Sequence, residues 1–209
     1  PGVEVISSEG IHLLVIFNPD ITENRWPTWN ETINNFLTAI SMPQPAFNGE
    51  NNHTPATANC TAEDIIMKAR EYSGIAIFAH AHSTNGGLFC KSDARTRKRL
   101  LEIANILDAA CELPNKETRI TELATKLTDH QYNIKNFAII NTSDSRKILD
   151  IGIKFSWIKA DQTFEGLKQI IFEPQERVKI QEHNPFDDRK KIYFDSIKIV
   201  GSKNFIVPD

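Results

Sequence analysis

Residues 74–82 read Gly-Ile-Ala-Ile-Phe-Ala-His-Ala-His. Residues 75–79 are uniformly apolar, which is typical of a strand buried on both faces of a parallel sheet. His80 and His82 follow directly, at the point where such a strand would end. In barrel-like α/β folds the active site forms at the carboxyl ends of the parallel strands. The stretch therefore predicts a buried strand with a functional site at its end.

The surrounding sequence alternates between strand and helix patterns. Apolar runs at residues 3–6 and 11–17 flank a turn and predict a hairpin-like pair of strands. Helices are predicted over residues 28–40, 61–73, 92–106, 118–128 and 163–172, and further strands over residues 107–110, 137–140 and 190–200. Residues 41–59, rich in Pro, Asn, Gly and Thr, predict a long surface loop. The alternation indicates an α/β domain with parallel strands and right-handed crossovers.

Bulk composition narrows the class of protein. A chain of 209 residues with 40% hydrophobic content is long enough for one substantial core. The 24 basic and 27 acidic residues nearly balance, which does not support bulk nucleic-acid affinity but allows a local basic patch. Cys60, Cys90 and Cys111 are irregularly spaced, so we expect reduced thiols in a cytoplasmic protein. No apolar run reaches the ~20 residues of a membrane span, and we expect no membrane partner.

Four groups of polar residues could carry chemistry. His80 and His82 stand at i and i+2 of an extended segment and could meet one cation; alternatively, they hydrogen-bond loop carbonyls. Residues 142–146, Thr-Ser-Asp-Ser-Arg, form either a functional cluster after a strand or a simple turn. Glu4 lies within an apolar strand and either points to solvent or faces a cation. His12 opens the next strand, where it is either a hydrogen-bonded structural histidine or a ligand. Together, these carboxylates and imidazoles suit Zn²⁺, Mn²⁺ or Fe²⁺.

These residues stand in short motifs that resemble, in order, the later motifs of the PHP (polymerase and histidinol phosphatase) domains. The motifs read PGVEV at residues 1–5, GIHLL at 10–14, IFAH at 77–80 and SDS at 143–145. The resemblance implies a partial, distorted (β/α)7 TIM-like barrel with a two- or three-metal site that hydrolyses phosphoesters. It also implies that Glu4, His12, His80 and Asp144 are metal ligands, with Glu4 bridging two metals.

A narrower resemblance lies further along the chain. Residues 155–169 read FSWIKADQTFEGLKQ, followed by Glu173, Pro174 and Arg177. This run is similar to the TrlF-type proteins, which join a PHP domain to an AAA-like, SMC-like ATPase. The resemblance implies a PHP-like domain over residues 1–180 and a β-rich linker over 181–209 that leads to an ATPase. The ATPase phosphate-binding loop GxxxxGK[ST] does not occur in this sequence.

The chain departs from the PHP pattern in two ways. The HxH motif of the first PHP strand would lie upstream of Pro1, so we expect the sequence to be a fragment of a longer chain. The last ligand position is Arg146, which stays protonated and cannot bind a metal. Arg146 could instead hold a substrate phosphate bidentately, with His82 as a second contact. A basic run at residues 91–99 either steers a phosphate-bearing substrate or forms a solvated helix face.

Three functions follow as hypotheses. The first is a metal-dependent phosphoesterase or nuclease that acts on phosphodiesters and is coupled to a fused or associated ATPase. Its metal site would activate water and neutralise phosphoryl oxygens. The second is a degenerate, non-catalytic PHP domain that serves as a scaffold or interaction surface. The third is a small-molecule phosphomonoesterase of the histidinol-phosphatase type. The partners implied are a phosphate-containing substrate, with nucleic acid among the candidates, and the ATPase.

Overall fold

A computed structural model describes residues 1–19, 26–43, 47–48, 54–104, 106–108, 137–145, 147–185 and 187. Several predicted features lie outside the described residues: the helix at 118–128, the strands at 190–200, Cys111 and Arg146. No helix within the described ranges combines the length and the apolar character needed to cross a membrane.

The centre of the molecule is a five-stranded sheet with the strand order β1-β2-β5-β6-β7. In chain order the described strands are β1 (Gly2–Ile6), β2 (His12–Phe17), β3 (Phe47–Asn48), β4 (Thr54–Pro55), β5 (Gly74–Phe78), β6 (Ile106–Asp108), β7 (Ala138–Ile140), β8 (Trp157–Ile158) and β9 (Val178–Lys179). β1 and β2 form the predicted antiparallel hairpin, and β5, β6 and β7 run parallel to one another. β5 also pairs antiparallel with β2, so parallel pairing holds on only one of its sides.

The five central strands form an open sheet with β1 and β7 at its edges, and among the described residues β3–β4 and β8–β9 form two separate two-stranded sheets. The predicted barrel is therefore not confirmed, although the alternation of helices and strands and the parallel half of the sheet are as expected.

The described helices are α1 (Trp26–Ala39), α2 (Ala62–Glu71), α3 (Leu88–Lys91), α4 (Ala94–Ile103), α5 (Phe164–Lys168) and α6 (Pro174–Arg177). α2 begins with a capping box at the predicted helix start: Thr61 Oγ1 accepts from the Asp64 backbone N–H at 3.2 Å, and Asp64 Oδ2 accepts from the Thr61 N–H at 3.1 Å. This reciprocal pair satisfies two N–H groups that the first helical turn leaves without partners.

All four predicted helices within the described residues have different bounds in the structure. α1 begins at Trp26 and α2 ends at Glu71, each two residues from the prediction, and the other two helices differ more. The basic helix was expected to begin at Ser92 and reach residue 106, but it is capped by Asp93 and ends at Ile103. Asp93 Oδ1 accepts from the Thr96 N–H at 2.7 Å, and the charged carboxylate at this position also favours the helix N-terminus. The expected helix at residues 163–172 is shorter: α5 passes into a 3₁₀ turn at Gln169–Ile171, and Pro174 opens α6.

β5 is buried on both faces, as its composition predicts. Phe78 packs into the larger core cluster, which α1 and α2 cover, whereas Ile77 packs on the opposite face with Ile106 and Ile140. Because β5 is fixed from both sides, the segment that leaves its carboxyl end has a defined starting point. That end lies beside the beginning of β2, since Leu13 is the register partner of Phe78.

Candidate metal centre

Three of the predicted metal ligands meet where β5 ends beside the start of β2. Glu4 Oε1 lies 2.8 Å from His12 Nδ1 and 3.5 Å from His80 Nε2. The two imidazole rings contact each other edge to face, with their centroids 4.8 Å apart. One potential ligand atom from each residue lies within 4.8 Å of those of the other two. The structure therefore brings His80, from a distant part of the sequence, to Glu4 and His12 on the β1–β2 hairpin.

The strand pairing explains this arrangement. Glu4 pairs with Leu14, and Ile6 pairs with His12. Glu4 and His12 are therefore diagonal neighbours across the β1–β2 hairpin. The backbone N–H of Ala79 donates to the His12 carbonyl at 3.1 Å, which holds the chain leaving β5 against the start of β2. His80 is the next residue, and this hydrogen bond therefore holds it close to Glu4 and His12.

Gly86 fixes the position of the His12 ring. Its carbonyl accepts a hydrogen bond from the His12 backbone N–H at 2.9 Å. Its φ is +108°, and a Cβ at this position would stand 2.1 Å from His12 Cδ2 and 2.5 Å from His12 Nε2. Only glycine combines this backbone conformation with such a close approach to the imidazole. Sequence reasoning did not identify Gly86, because its function depends on a contact with a residue 74 positions earlier in the printed sequence.

The electrostatics of the cluster keep Glu4 ionised. Its hydrogen bonds with His12 and His80 lower the pKa of Glu4 to about 2, against the opposing effect of partial burial. The same contact with Glu4 raises the pKa of His80, with burial opposing it and the Asp144 charge assisting. At neutral pH Glu4 is therefore a carboxylate acceptor that faces two imidazoles.

The donor set fits a divalent transition metal. One carboxylate and two imidazoles are ligands that suit Zn²⁺, Mn²⁺ or Fe²⁺. His80 Nδ1 is buried and has no hydrogen-bond partner among the described atoms, a costly state for a polar nitrogen. His80 also has a φ of +30°, in the left-handed region that a histidine rarely adopts. An unpartnered atom and a strained backbone on one residue are features that concentrate at functional sites.

Two other predicted site residues, Asp144 and His82, are described but do not belong to this group of three. Asp144 is not among the three grouped ligands, although its charge acts on His80 and its own φ is +43°. His82 is exposed and its ring stacks on Phe89, with centroids 4.6 Å apart and an interplanar angle of 9°. The position of Arg146 lies outside the described residues.

Asp108 connects the two loops that carry the candidate ligands. It ends β6 and is 7% exposed. Its backbone carbonyl accepts from the Ala81 N–H at 2.9 Å, between the two histidines. Its carboxylate accepts from the Thr142 N–H at 3.0 Å and from the Thr142 hydroxyl, two residues before Asp144. Sequence reasoning missed Asp108 because the predicted strand over residues 107–110 placed it inside the strand, whereas the described strand β6 ends at Asp108.

We expect Asp108→Asn to weaken metal binding about 10-fold, as is usual for residues that orient ligands from behind. An amide presents one acceptor oxygen where the carboxylate uses two, so the Thr142 loop would lose a hydrogen bond at a cost of about 1–2 kcal/mol. Metal titration and urea unfolding of the same samples measure the two effects, with the exposed Asp161→Asn as control. A loss of stability with unchanged metal affinity would contradict an orienting role.

Comparisons with known proteins support the fold. No protein-family model matches the sequence, and no curated protein matches it. Among solved structures, the lesion-specific endonuclease Endonuclease Q from Pyrococcus furiosus matches with a TM-score of 0.51 and 18% identity over 81% of this chain. Endonuclease Q in complex with a 27-mer duplex containing an abasic lesion matches with a TM-score of 0.50 and 18% identity over 86%.

The chain spans about two fifths of these structures, 38% of the first and 40% of the second. At this level of identity the likeness concerns the fold alone. The chain therefore shares the fold of the matching part of Endonuclease Q, and it holds a candidate Glu–His–His metal group where β5 ends beside the start of β2.

Proposed function

We propose that this chain carries the metal centre of a phosphodiester hydrolase of the nuclease type. The observation that supports this most is the group formed by Glu4, His12 and His80, in which the buried Nδ1 of His80 has no hydrogen-bond partner among the described atoms. Such a group stands where α/β folds of this class hold their active sites.

Each residue has a distinct part in this proposal. Glu4, His12 and His80 would hold the metal, and Asp144, in the loop after β7, would supply a further carboxylate ligand. A bound divalent ion activates water as a nucleophile and neutralises phosphoryl oxygens. Glu4 supplies negative charge to the site at all pH values near neutrality, because its pKa is about 2. Arg146 holds a non-bridging phosphate oxygen, a task that suits its planar guanidinium group.

The solved neighbours favour a phosphodiester substrate over a monoester. Both are endonucleases, and one is bound to duplex DNA. Their common fold with this chain supports nucleic acid as the substrate class. Coupling to a TrlF-type ATPase stays a prediction that rests on the sequence of residues 155–169.

Hydrolysis of three substrates tests the proposal. The 209-residue chain, loaded with Mn²⁺, Zn²⁺ or Fe²⁺, is assayed on bis-p-nitrophenyl phosphate, p-nitrophenyl phosphate and a labelled oligonucleotide. We expect cleavage of both diesters, little cleavage of the monoester, and loss of all activity in EDTA. Preferential cleavage of the monoester would replace the proposal with the phosphomonoesterase alternative.

One observation favours the second candidate, a non-catalytic module. Asp144 lies outside the three-residue group, and Glu4 and His12 already hydrogen-bond to each other. In that case the cluster serves as a structural ion pair, and the domain acts as a scaffold for a partner. A chain that neither binds metal nor cleaves any of the three substrates would establish this candidate and overturn the first.

A further inference from the structure

A stacked pair of rings lies beside the candidate metal centre. The His82 ring is nearly parallel to Phe89, at 9° and 4.6 Å between centroids. His82 stands two residues after His80 and is exposed, whereas Phe89 is half-buried. A flat, exposed ring held parallel to a second ring offers a surface on which a further planar group can stack.

Phe89 is a rigid support for this ring. Its backbone N–H donates to the Ala81 carbonyl at 3.0 Å. The Arg97 guanidinium carbon lies 5.0 Å from the Phe89 ring centroid, and Arg97 Nη2 donates to the Phe89 carbonyl at 3.0 Å and to the Ser92 carbonyl at 2.6 Å. Arg97 is thus used within the protein and connects α4 to α3. This framework holds Phe89, against which the His82 ring stacks.

Exposed, positively charged side chains follow the stacked pair along the chain. Lys91, Arg95 and Lys98 are exposed and form no ion pair with any described residue. The Lys91 side chain passes over the β1–β2 turn, since its Cδ lies 3.8 Å from the place a Cβ on Gly10 would occupy. Gly10 is two residues before His12, so Lys91 lies against the turn that leads into one of the candidate ligands. Arg95 and Lys98 extend the positive charge along α4.

The geometry points to a binding path for a nucleic-acid strand: we propose that one unpaired base stacks on His82 while neighbouring phosphates contact Lys91, Arg95 and Lys98. Stacking on a ring accepts any base, and lysine and arginine side chains follow the backbone, the two elements of single-strand recognition. A base inside a duplex has both faces covered, so the path selects a strand or nucleotide that is out of the helix.

This inference rests on the proposed function and changes the part assigned to His82. The phosphate contact predicted for His82 would require an N–H donor on its ring, which imidazole has and a phenyl ring lacks. A stacking role needs only its flat ring. The two roles therefore predict opposite results when His82 is replaced by another flat, uncharged ring.

Binding without catalysis tests the path. The full chain is titrated, in EDTA, into a labelled single-stranded oligonucleotide and into its duplex, and fluorescence anisotropy is measured. We expect His82→Ala to weaken single-strand binding about 10-fold, the usual effect of removing one stacking side chain. His82→Phe should bind as the native chain does. The duplex should bind more weakly than the single strand.

Neutralising the cations tests the other half of the path. Each of Lys91→Gln, Arg95→Gln and Lys98→Gln should reduce the slope of log affinity against log salt by about 0.7, the value for one phosphate contact on a single strand. Lys168→Gln is the control, because Lys168 lines a cavity with Gly74 at the opposite end of β5. Its salt slope should not change.

Three results would overturn the path: His82→Ala binding unchanged, His82→Phe binding as weakly as His82→Ala, or a salt slope that falls as much in Lys168→Gln as in Lys91→Gln. Hydrolysis of bis-p-nitrophenyl phosphate distinguishes a wrong strand path from a wrong assignment of the metal centre. That small substrate needs no base platform, so its metal-dependent cleavage would persist if only the strand path were wrong.

Discussion

Replacing Glu4 by glutamine is expected to lower the rate of metal-dependent phosphodiester hydrolysis by about 100-fold or more. Replacing a residue that only orients a metal ligand typically costs about 10–100-fold, and the loss of a ligand that contacts the metal should cost more. Glu4 Oε1 faces both imidazoles, at 2.8 Å from His12 Nδ1 and 3.5 Å from His80 Nε2. An amide has the same shape but no charge to attract a cation. Initial rates on bis-p-nitrophenyl phosphate at saturating Mn²⁺ measure the effect.

Glu71→Gln is the matched control for this substitution. Glu71 makes a surface ion pair with Lys68 at 2.6 Å, an interaction of the class that contributes at most about 1 kcal/mol. The control should keep full activity and nearly full stability. A Glu4→Gln chain that cleaves the diester at the native rate would show that the Glu4 carboxylate does not take part in the reaction.

Replacing Gly86 by alanine is expected to have the second large effect, on both stability and metal binding. The new methyl group would overlap the His12 ring, since a Cβ there stands 2.1 Å from His12 Cδ2. The positive φ adds backbone strain, and together with overpacking this should cost about 3 kcal/mol. The His12 ring must move away, so metal affinity should fall at least about 10-fold. Urea unfolding and metal titration check the two expectations.

Gly152→Ala separates backbone strain from the clash. Gly152 also has a positive φ, +79°, but no atom lies within 4 Å of the place its Cβ would occupy. This variant should lose only about 1 kcal/mol and bind metal as the native chain does. If Gly86→Ala were no more destabilising than Gly152→Ala, the close approach of Gly86 to His12 would be wrong.

Local patterns made much of the fold predictable. The Thr61–Asp64 capping box, the β1–β2 hairpin and the two-sided burial of β5 all depend on residues close together in sequence. The position of the site followed from a general rule about strand ends, and the structure brings Glu4, His12 and His80 into one group at such an edge. Carboxylate and imidazole side chains already suggested metal binding, and the order of the motifs along the chain suggested the resemblance to PHP domains.

Features that depend on long-range contacts were not predictable. Composition could not reveal that β5 pairs antiparallel with β2 on one side, because a strand buried on both faces has the same residues in either arrangement. The roles of Gly86 and Asp108 depend on contacts with residues that are far away in sequence. The bounds of α4 were misjudged because Ser92 and Asp93 are both good capping residues, and only the structure shows that Asp93 accepts from Thr96.

Metal content is the most direct test of the account. The native chain and His80→Ala are incubated with Mn²⁺ or Zn²⁺, separated from free ion by gel filtration, and analysed by mass spectrometry for metal per chain. The account predicts that the native chain retains at least one equivalent and that His80→Ala retains far less. A native chain that retains none, or a variant that retains as much as the native chain, would contradict it.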